Sequence, residues 1–259
     1  MITDLVDIKD KHLGETIYII GNGTYLHELS DDEVGTINEG ISIGTNACHL
    51  AFPRTTYFST GHFVHLLFNV FFGDCNFRFF QGEPQLNDAQ RKEFKILQIT
   101  QQNVITTHDN LTRKVTNETQ IIGAEQIGFA ATHLAVLMGA SKIVYVGFDH
   151  RSADHYYSFP PFNSLIRAQL KLLQEKAQEV SDSFAMDDID DFININIDPM
   201  SIPGAYHPNG KEPLFLTDYE LTLSNFKSVF EQAKQYGVEI QCIEEDSIVA
   251  DAGATVIKL

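Results

Sequence analysis

Three stretches of the chain carry residues whose types and spacing suit ligand chemistry. Gly21-Asn22-Gly23 directly follows the β-branched run Thr16 to Ile20. Glycines at a strand end let the backbone approach a phosphate or a base, and open parallel sheets bind ligands beyond the carboxyl ends of their strands. The same three residues equally suit a plain tight turn. Leu26 stands where a GxGxxG fingerprint needs its third glycine, so the usual dinucleotide signature is incomplete. Asn46, just past a second short strand, offers a donor and an acceptor to a base or sugar. It also suits a turn that caps Cys48 and His49. Asp149 follows Gly147 at the end of a further apolar strand, with His150, Arg151, Asp154, His155, Tyr156 and Tyr157 close behind. Ionisable and hydroxyl groups gathered outside a buried strand form either an active-site arrangement or a polar surface loop.

His207 lies in a long segment before the last helix. A histidine on a closing lid can act as a general base near neutral pH, and a histidine in a loop can equally do nothing. The chain has ten histidines, yet His62 and His65, or His150 and His155, match no HExxH or Cys/His metal pattern. Asp187 to Asp191 has neither the glycine nor the glutamate of an EF-hand and reads as a solvated face. No P-loop and no Gly-x-Ser-x-Gly elbow occurs. Cys48, Cys75 and Cys242 are odd in number and far apart, which reads as reduced, buried thiols.

These residues need elements to hold them. Thr16 to Ile20, Gly40 to Gly44 and Thr55 to Ser59 read as strands. Ser30 with Glu33 forms a capping box that opens a helix before the second strand. Phe63 to about Thr119 is aromatic and irregular, and gives no clear elements; its phenylalanines suit core packing or an interface. From Ala124, apolar residues recur at helical spacing (Ile127, Ala130, Ala131, Leu134, Ala135, Met138), and Gly139 stands at the C-cap position. Lys142 to Val146 is then a buried strand, Asn163 to Val180 an amphipathic helix, Thr217 to Tyr236 a final helix and Val238 to Ile243 a final strand. The alternation predicts an α/β fold: a Rossmann-like, mostly parallel sheet flanked by helices, in one domain over 1–259, with a lid segment at 181–213.

In order, these segments resemble the bacterial sialyltransferases that use CMP-sialic acid. Residues 19–26 (IIGNGTYL) are similar to that family's strand-GNGPSL opening, and Asn46 stands like the asparagine that meets the nucleotide there. Ala124 to Asp149 resembles the family's helix, strand and Gly-x-Asp turn, with Gly128 near the donor phosphate. Ile127-Gly128 replaces the family's Ser-Gly, and Arg151 replaces a second phosphate-contacting tyrosine. Tyr157 matches the spacing of a tyrosine that holds the donor phosphate, and His207 resembles the catalytic base. The skeleton also resembles the motility accessory factor glycosyltransferases and the archaeal 6-hydroxymethylpterin diphosphokinase-like proteins. The resemblance implies a variant GT-A-like fold and transfer of a sugar, sialic acid or a related nonulosonate, from a nucleotide sugar to a hydroxyl acceptor. Gly21, Asn22, Gly23, Asn46, Gly128 and Asp149 would bind the nucleotide, Arg151 and Tyr157 would steady the departing phosphate, and His207 would take the acceptor proton. No cofactor is required for that reaction. Pyrophosphoryl transfer from ATP to a hydroxymethylpterin-like molecule would instead need Mg²⁺, and a nucleotide-binding protein without chemistry is a third reading.

The balance of 18 basic and 35 acidic residues gives a formal charge of −17. Phosphate neutralisation along nucleic acid needs a surplus of Lys and Arg, and anionic membranes repel such a chain. A few local groups can still bind a small anion. Asp187 to Asp191 and Glu244-Glu245-Asp246 are expected to hold acidity away from the sheet edge. The first residues lack the basic start and apolar stretch of a signal peptide, and no apolar run approaches the ~20 residues of a bilayer span. A cytoplasmic protein is expected, with oligomerisation left open.

Overall fold

In the computed structural model, which describes residues 2–82, 86–99, 111–115, 121, 127–149, 156, 159–180 and 219–259, the short apolar runs all become strands of one sheet. Runs such as TIYII and KIVYV suit strands covered on both faces, because they present apolar groups to either side. The order is β1 (Thr16–Ile20), α1 (Asp31–Glu39), β2 (Ile41–Thr45), β3 (Arg54–Thr60), α2 (Phe63–Phe72), β4 (Asp74–Phe80), α3 (Asp88–Glu93), β5 (Ile96–Gln98), α4 (Ile127–Leu137) and β6 (Lys142–Val146). There follow α5 (Phe162–Val180), α6 (Tyr219–Gln235), β7 (Glu239–Cys242), α7 (Ile248–Asp251) and β8 (Thr255–Val256). Among the described residues eight strands pair in the order β5-β4-β3-β2-β1-β6-β7-β8. Every neighbouring pair is parallel. This is the Rossmann-like α/β sheet that the alternation of elements predicts.

Strand alternation sorts the core into two layers. Ile17, Ile19, Ile43, Phe77, Phe79, Ile143 and Tyr145 point to the side covered by α4 and α6. Ile20, Phe58, Phe80, Val144 and Val146 point to the side where α2 and α5 pack. The helices differ accordingly. α1 opens on the expected Ser30 capping box, and Gly139 holds the positive φ (+87°) of a C-terminal cap. α4 is buried from Gly128 to Leu137, so it lies against the sheet on one side and α6 on the other.

The aromatic middle of the chain is core. α2 (FVHLLFNVFF) is buried from Phe63 to Asn69. A helix that is apolar all round has no amphipathic stripe, and it survives in water only when covered. Its end is tied to β4 by the buried Arg78, whose Nε donates to Asn69 Oδ1 (2.8 Å) and whose Nη2 donates to the Asn69 carbonyl (2.9 Å). No helix among the described residues is long and apolar enough to cross a membrane. The segment 181–213, read as a lid, lies outside the described residues.

Sheet order also sets where a ligand can enter. From β1 the chain moves outward to β5, then returns to the other side of β1 at β6. The loops beyond β1 and β6 therefore leave in opposite directions and open a crevice at the carboxyl edge, the position at which doubly wound sheets take ligands.

Candidate functional site

Register puts the glycine turns side by side. Ile20 pairs with Val146 on one flank and with Gly44 on the other. Gly21, Gly147 and Thr45 thus leave the sheet at one level. Gly21 N donates to the Val146 carbonyl (2.7 Å) and Gly23 N to the Gly147 carbonyl (2.8 Å). A Cβ on Gly23 would fall on the Asp149 carboxylate. Asp149 Oδ2 accepts from Thr24 N (2.6 Å) and Thr24 Oγ1 (2.5 Å). The close backbone approach that the Gly-x-Gly pattern permits is made to β6 and its turn. The N–H groups of Gly21, Gly23 and Thr24 are all engaged there.

Side chains are what the crevice leaves for a ligand. Asn22 Nδ2 donates to the Thr45 carbonyl (3.2 Å), which aims the carboxamide across β2. Its Oδ1 is enclosed and has no hydrogen-bond partner among the described residues. Burying such an acceptor unpaired costs ~1–3 kcal/mol, so it is a ready place for a ligand donor. Asn46 has a left-handed backbone (φ +49°), and its Oδ1 accepts from Thr60 Oγ1 (2.9 Å). It does not cap the turn at Cys48 to Leu50, which has no side-chain cap bond. Gly128 opens α4 against Phe148: a Cβ there would lie 2.7 Å from Phe148 Cε1. Gly21, Asn22, Gly23, Asn46, Gly128 and Asp149 are therefore set around the carboxyl ends of β1, β2 and β6.

Glu244 joins them, whereas the sequence places the Glu244-Glu245-Asp246 triplet away from the sheet edge. β7 pairs Cys242 with Tyr145, so Glu244 comes level with Gly147 at the same edge. It is 2% exposed. Gly147 N donates to its Oε1, while Oε2 has no hydrogen-bond partner among the described residues. Burial pushes its carboxyl up to about 7; the Gly147 and Phe148 N–H groups oppose that rise and the Asp149 carboxylate adds to it. The sequence carries half of the signal, since the apolar run Val238 to Ile243 ends just before Glu244; that this strand pairs with β6 is supplied by the fold. Gly147 (φ +74°) is thus held by its N–H from β7 and by its carbonyl from β1.

Tyr156, adjacent to the tyrosine expected to hold a phosphate, is a structural tie. It is fully buried, and its hydroxyl donates to the Ala47 carbonyl (2.5 Å) and accepts from Ala51 N (3.3 Å). His27 Nε2 donates to its carbonyl (2.5 Å). His150, Arg151, Asp154, His155, Tyr157, Asp187 to Asp191 and His207 lie outside the described residues. His62 and His65 sit with ring centroids 5.9 Å apart, but no cluster of three or more metal-ligating side chains occurs among the described residues. The three cysteines are free and buried. Burial raises the Cys75 and Cys242 thiols to about 11 and Cys48 further still, which leaves none of them a ready nucleophile. The chain matches no protein-family model and no curated protein.

Proposed function

We propose that the chain is a glycosyltransferase that moves a sugar, sialic acid or a related nonulosonate, from a nucleotide donor to a hydroxyl acceptor. The observation that carries the reading is the Asn22 carboxamide at the β1–β6 switch point, fixed through Nδ2 and with Oδ1 enclosed and unpaired among the described residues. An acceptor so held suits a ribose hydroxyl or a base amine, and the crevice is where such sheets take nucleotides. Asn46 follows β2 at the same edge. The resemblance of residues 19–26 and 124–149 to the CMP-sialic-acid enzymes supplies the reaction class.

In this reading Arg151 and Tyr157 stabilise the phosphate as the sugar leaves, by hydrogen bonds that strengthen as negative charge develops. His207 takes the proton from the acceptor hydroxyl. The donor brings its own phosphate and these two side chains clamp it, so the reaction needs no metal. General-base assistance is worth ~10²–10⁴-fold, and His207→Ala should lower turnover by at least ~10²-fold with near-normal nucleotide affinity.

A thermal-shift panel of CMP, UDP, GDP and ATP, with and without Mg²⁺, tests the donor. One nucleotide at ~100 times its Kd should stabilise the fold by about 2.7 kcal/mol, and Asn22→Ala should lose most of that shift. Stabilisation by ATP with Mg²⁺ alone would point to pyrophosphoryl transfer. No shift with any of the four would remove the nucleotide reading.

A further inference from the structure

A second recess lies away from the crevice and shares none of its residues. It is a cavity of about 1360 Å³ over β3, β4 and β5, with Tyr57, Phe77 and Leu97 among the residues that line it. Lys11, Lys92 and Lys95 line it as well. We propose that this cavity is a ligand site for a small organic anion with a flat apolar body.

The cations are the reason. Lys11, Lys92 and Lys95 form no ion pair with a described residue, and Lys11 Nζ stands 5.7 Å from the centroid of the Tyr57 ring. The neighbouring Arg91 is committed instead. It pairs with Asp88 and donates to the Leu86 carbonyl (2.9 Å) and Gln98 Oε1 (2.8 Å). Of the carboxylates lining the recess among the described residues, Asp88 and Glu93, Asp88 is therefore already neutralised. Three ammonium groups with no ion pair to a described residue face one carboxylate in a chain whose net charge is −17. A concave surface with locally inverted charge concentrates anions.

The floor favours a flat body. Tyr57 and Phe77 are buried, and the Tyr57 hydroxyl is held by His12 Nε2 (2.8 Å), which leaves the ring orientation fixed. His12 is kept below its usual range, by burial first and then by the Lys11 charge. It therefore bonds Tyr57 as a neutral ring and adds no positive charge of its own. Pockets of this build, mostly apolar with a few placed polar groups, are ordinary small-molecule sites.

Fluorescence titration with 8-anilinonaphthalene-1-sulfonate tests the proposal, with N-phenyl-1-naphthylamine as the same ring system lacking the sulfonate. The sulfonate should bind one saturable site at least ~10-fold more tightly than its neutral analogue, and added salt should weaken it. The Lys11→Glu/Lys95→Glu variant should weaken sulfonate binding by ~10-fold or more, since two attractive contacts become repulsive. Both side chains are exposed, so the thermal midpoint should hold; Lys11→Gln/Lys95→Gln gives the milder change if it does not. Saturating CMP should leave the titration unchanged. Equal binding of the two probes, an unaltered Kd in both lysine variants, or displacement by CMP would each overturn the assignment.

Discussion

Glu244 offers the sharpest test of the site's electrostatics. Its folded-state pKa is raised from 4.5 to about 7, chiefly by burial. The native state therefore holds a proton that the unfolded chain has already released between those two pH values. A carboxyl raised in this way favours the fold below 4.5 and loses that contribution as pH rises through 7. One pKa unit corresponds to 1.36 kcal/mol, so the whole loss is about 3 kcal/mol. Glu244→Gln keeps an oxygen to accept from Gly147 N and cannot ionise. The variant should lack the decline, gaining about 3 kcal/mol on wild type between pH 4.5 and 8, or roughly 6–12 °C in Tm. Urea unfolding of both proteins at half-unit steps would measure it. The constant part of the difference, from the amide's extra donor, cancels in the pH-dependent part. Asp149→Asn should move the midpoint of the decline to lower pH, because the Asp149 charge helps to raise Glu244. A wild-type-minus-variant difference that stays flat within ~0.5 kcal/mol from pH 5 to 8 would refute the claim that Glu244 is held neutral by burial.

Two further outcomes follow from the same geometry. Gly23→Ala drives a Cβ onto the Asp149 carboxylate and should destabilise the fold by about 2–3 kcal/mol in urea unfolding, with weaker nucleotide binding; a loss under ~0.5 kcal/mol would show that β1 and β6 are not so closely apposed. On the acid side, burial lowers His49 and His133 to about 4, so the unfolded chain gains protons that the native rings refuse. Stability should fall by up to about 3 kcal/mol per ring as pH drops from 6.5 to 4, and each of His49→Gln and His133→Gln should remove part of that limb in calorimetry.

Much of the frame was legible because its signals are local. A capping box such as Ser30 with Glu33 is made by neighbours in the chain, and so is the positive-φ glycine that ends α4. Buried parallel strands announce themselves as unbroken β-branched runs. The middle third gave no such signal, for a physical reason. α2 is buried from Phe63 to Asn69, so its residues show no 3.6-residue stripe, and β5 is only three residues long. The site shows the same division. Gly21, Asn22, Gly23, Asn46 and Asp149 could be read because strand ends point to the carboxyl edge of a parallel sheet. Glu244 could not be read from composition, since an acidic triplet ordinarily marks solvent. Its place depends on β7 pairing with β6 in a register that only the fold supplies.

That register also changes what the glycines mean. A Gly-x-Gly after a first strand suggests a backbone cradle for phosphate, but here the Gly21, Gly23 and Thr24 N–H groups bond to the end of β6. The glycines let two loops close on each other, and Glu244 grips the same turn from β7. The crevice is therefore built as a clasp: its backbone is spent on holding β1, β6 and β7 in line, and a ligand entering it would meet side chains, Asn22 first. Recognition by a few aimed amides discriminates by donor and acceptor pattern more than by charge. A protein with a charge of −17 can use such a site, because its selectivity does not require a positive field. Cations without an ion pair to a described residue gather in the recess around Tyr57, away from the clasp. If both proposals hold, charge recognition and hydrogen-bond recognition are separated on this sheet, and ionic strength should tell them apart. Raising the salt should weaken an anion at Lys11 and Lys95 well before it disturbs a ligand held by Asn22.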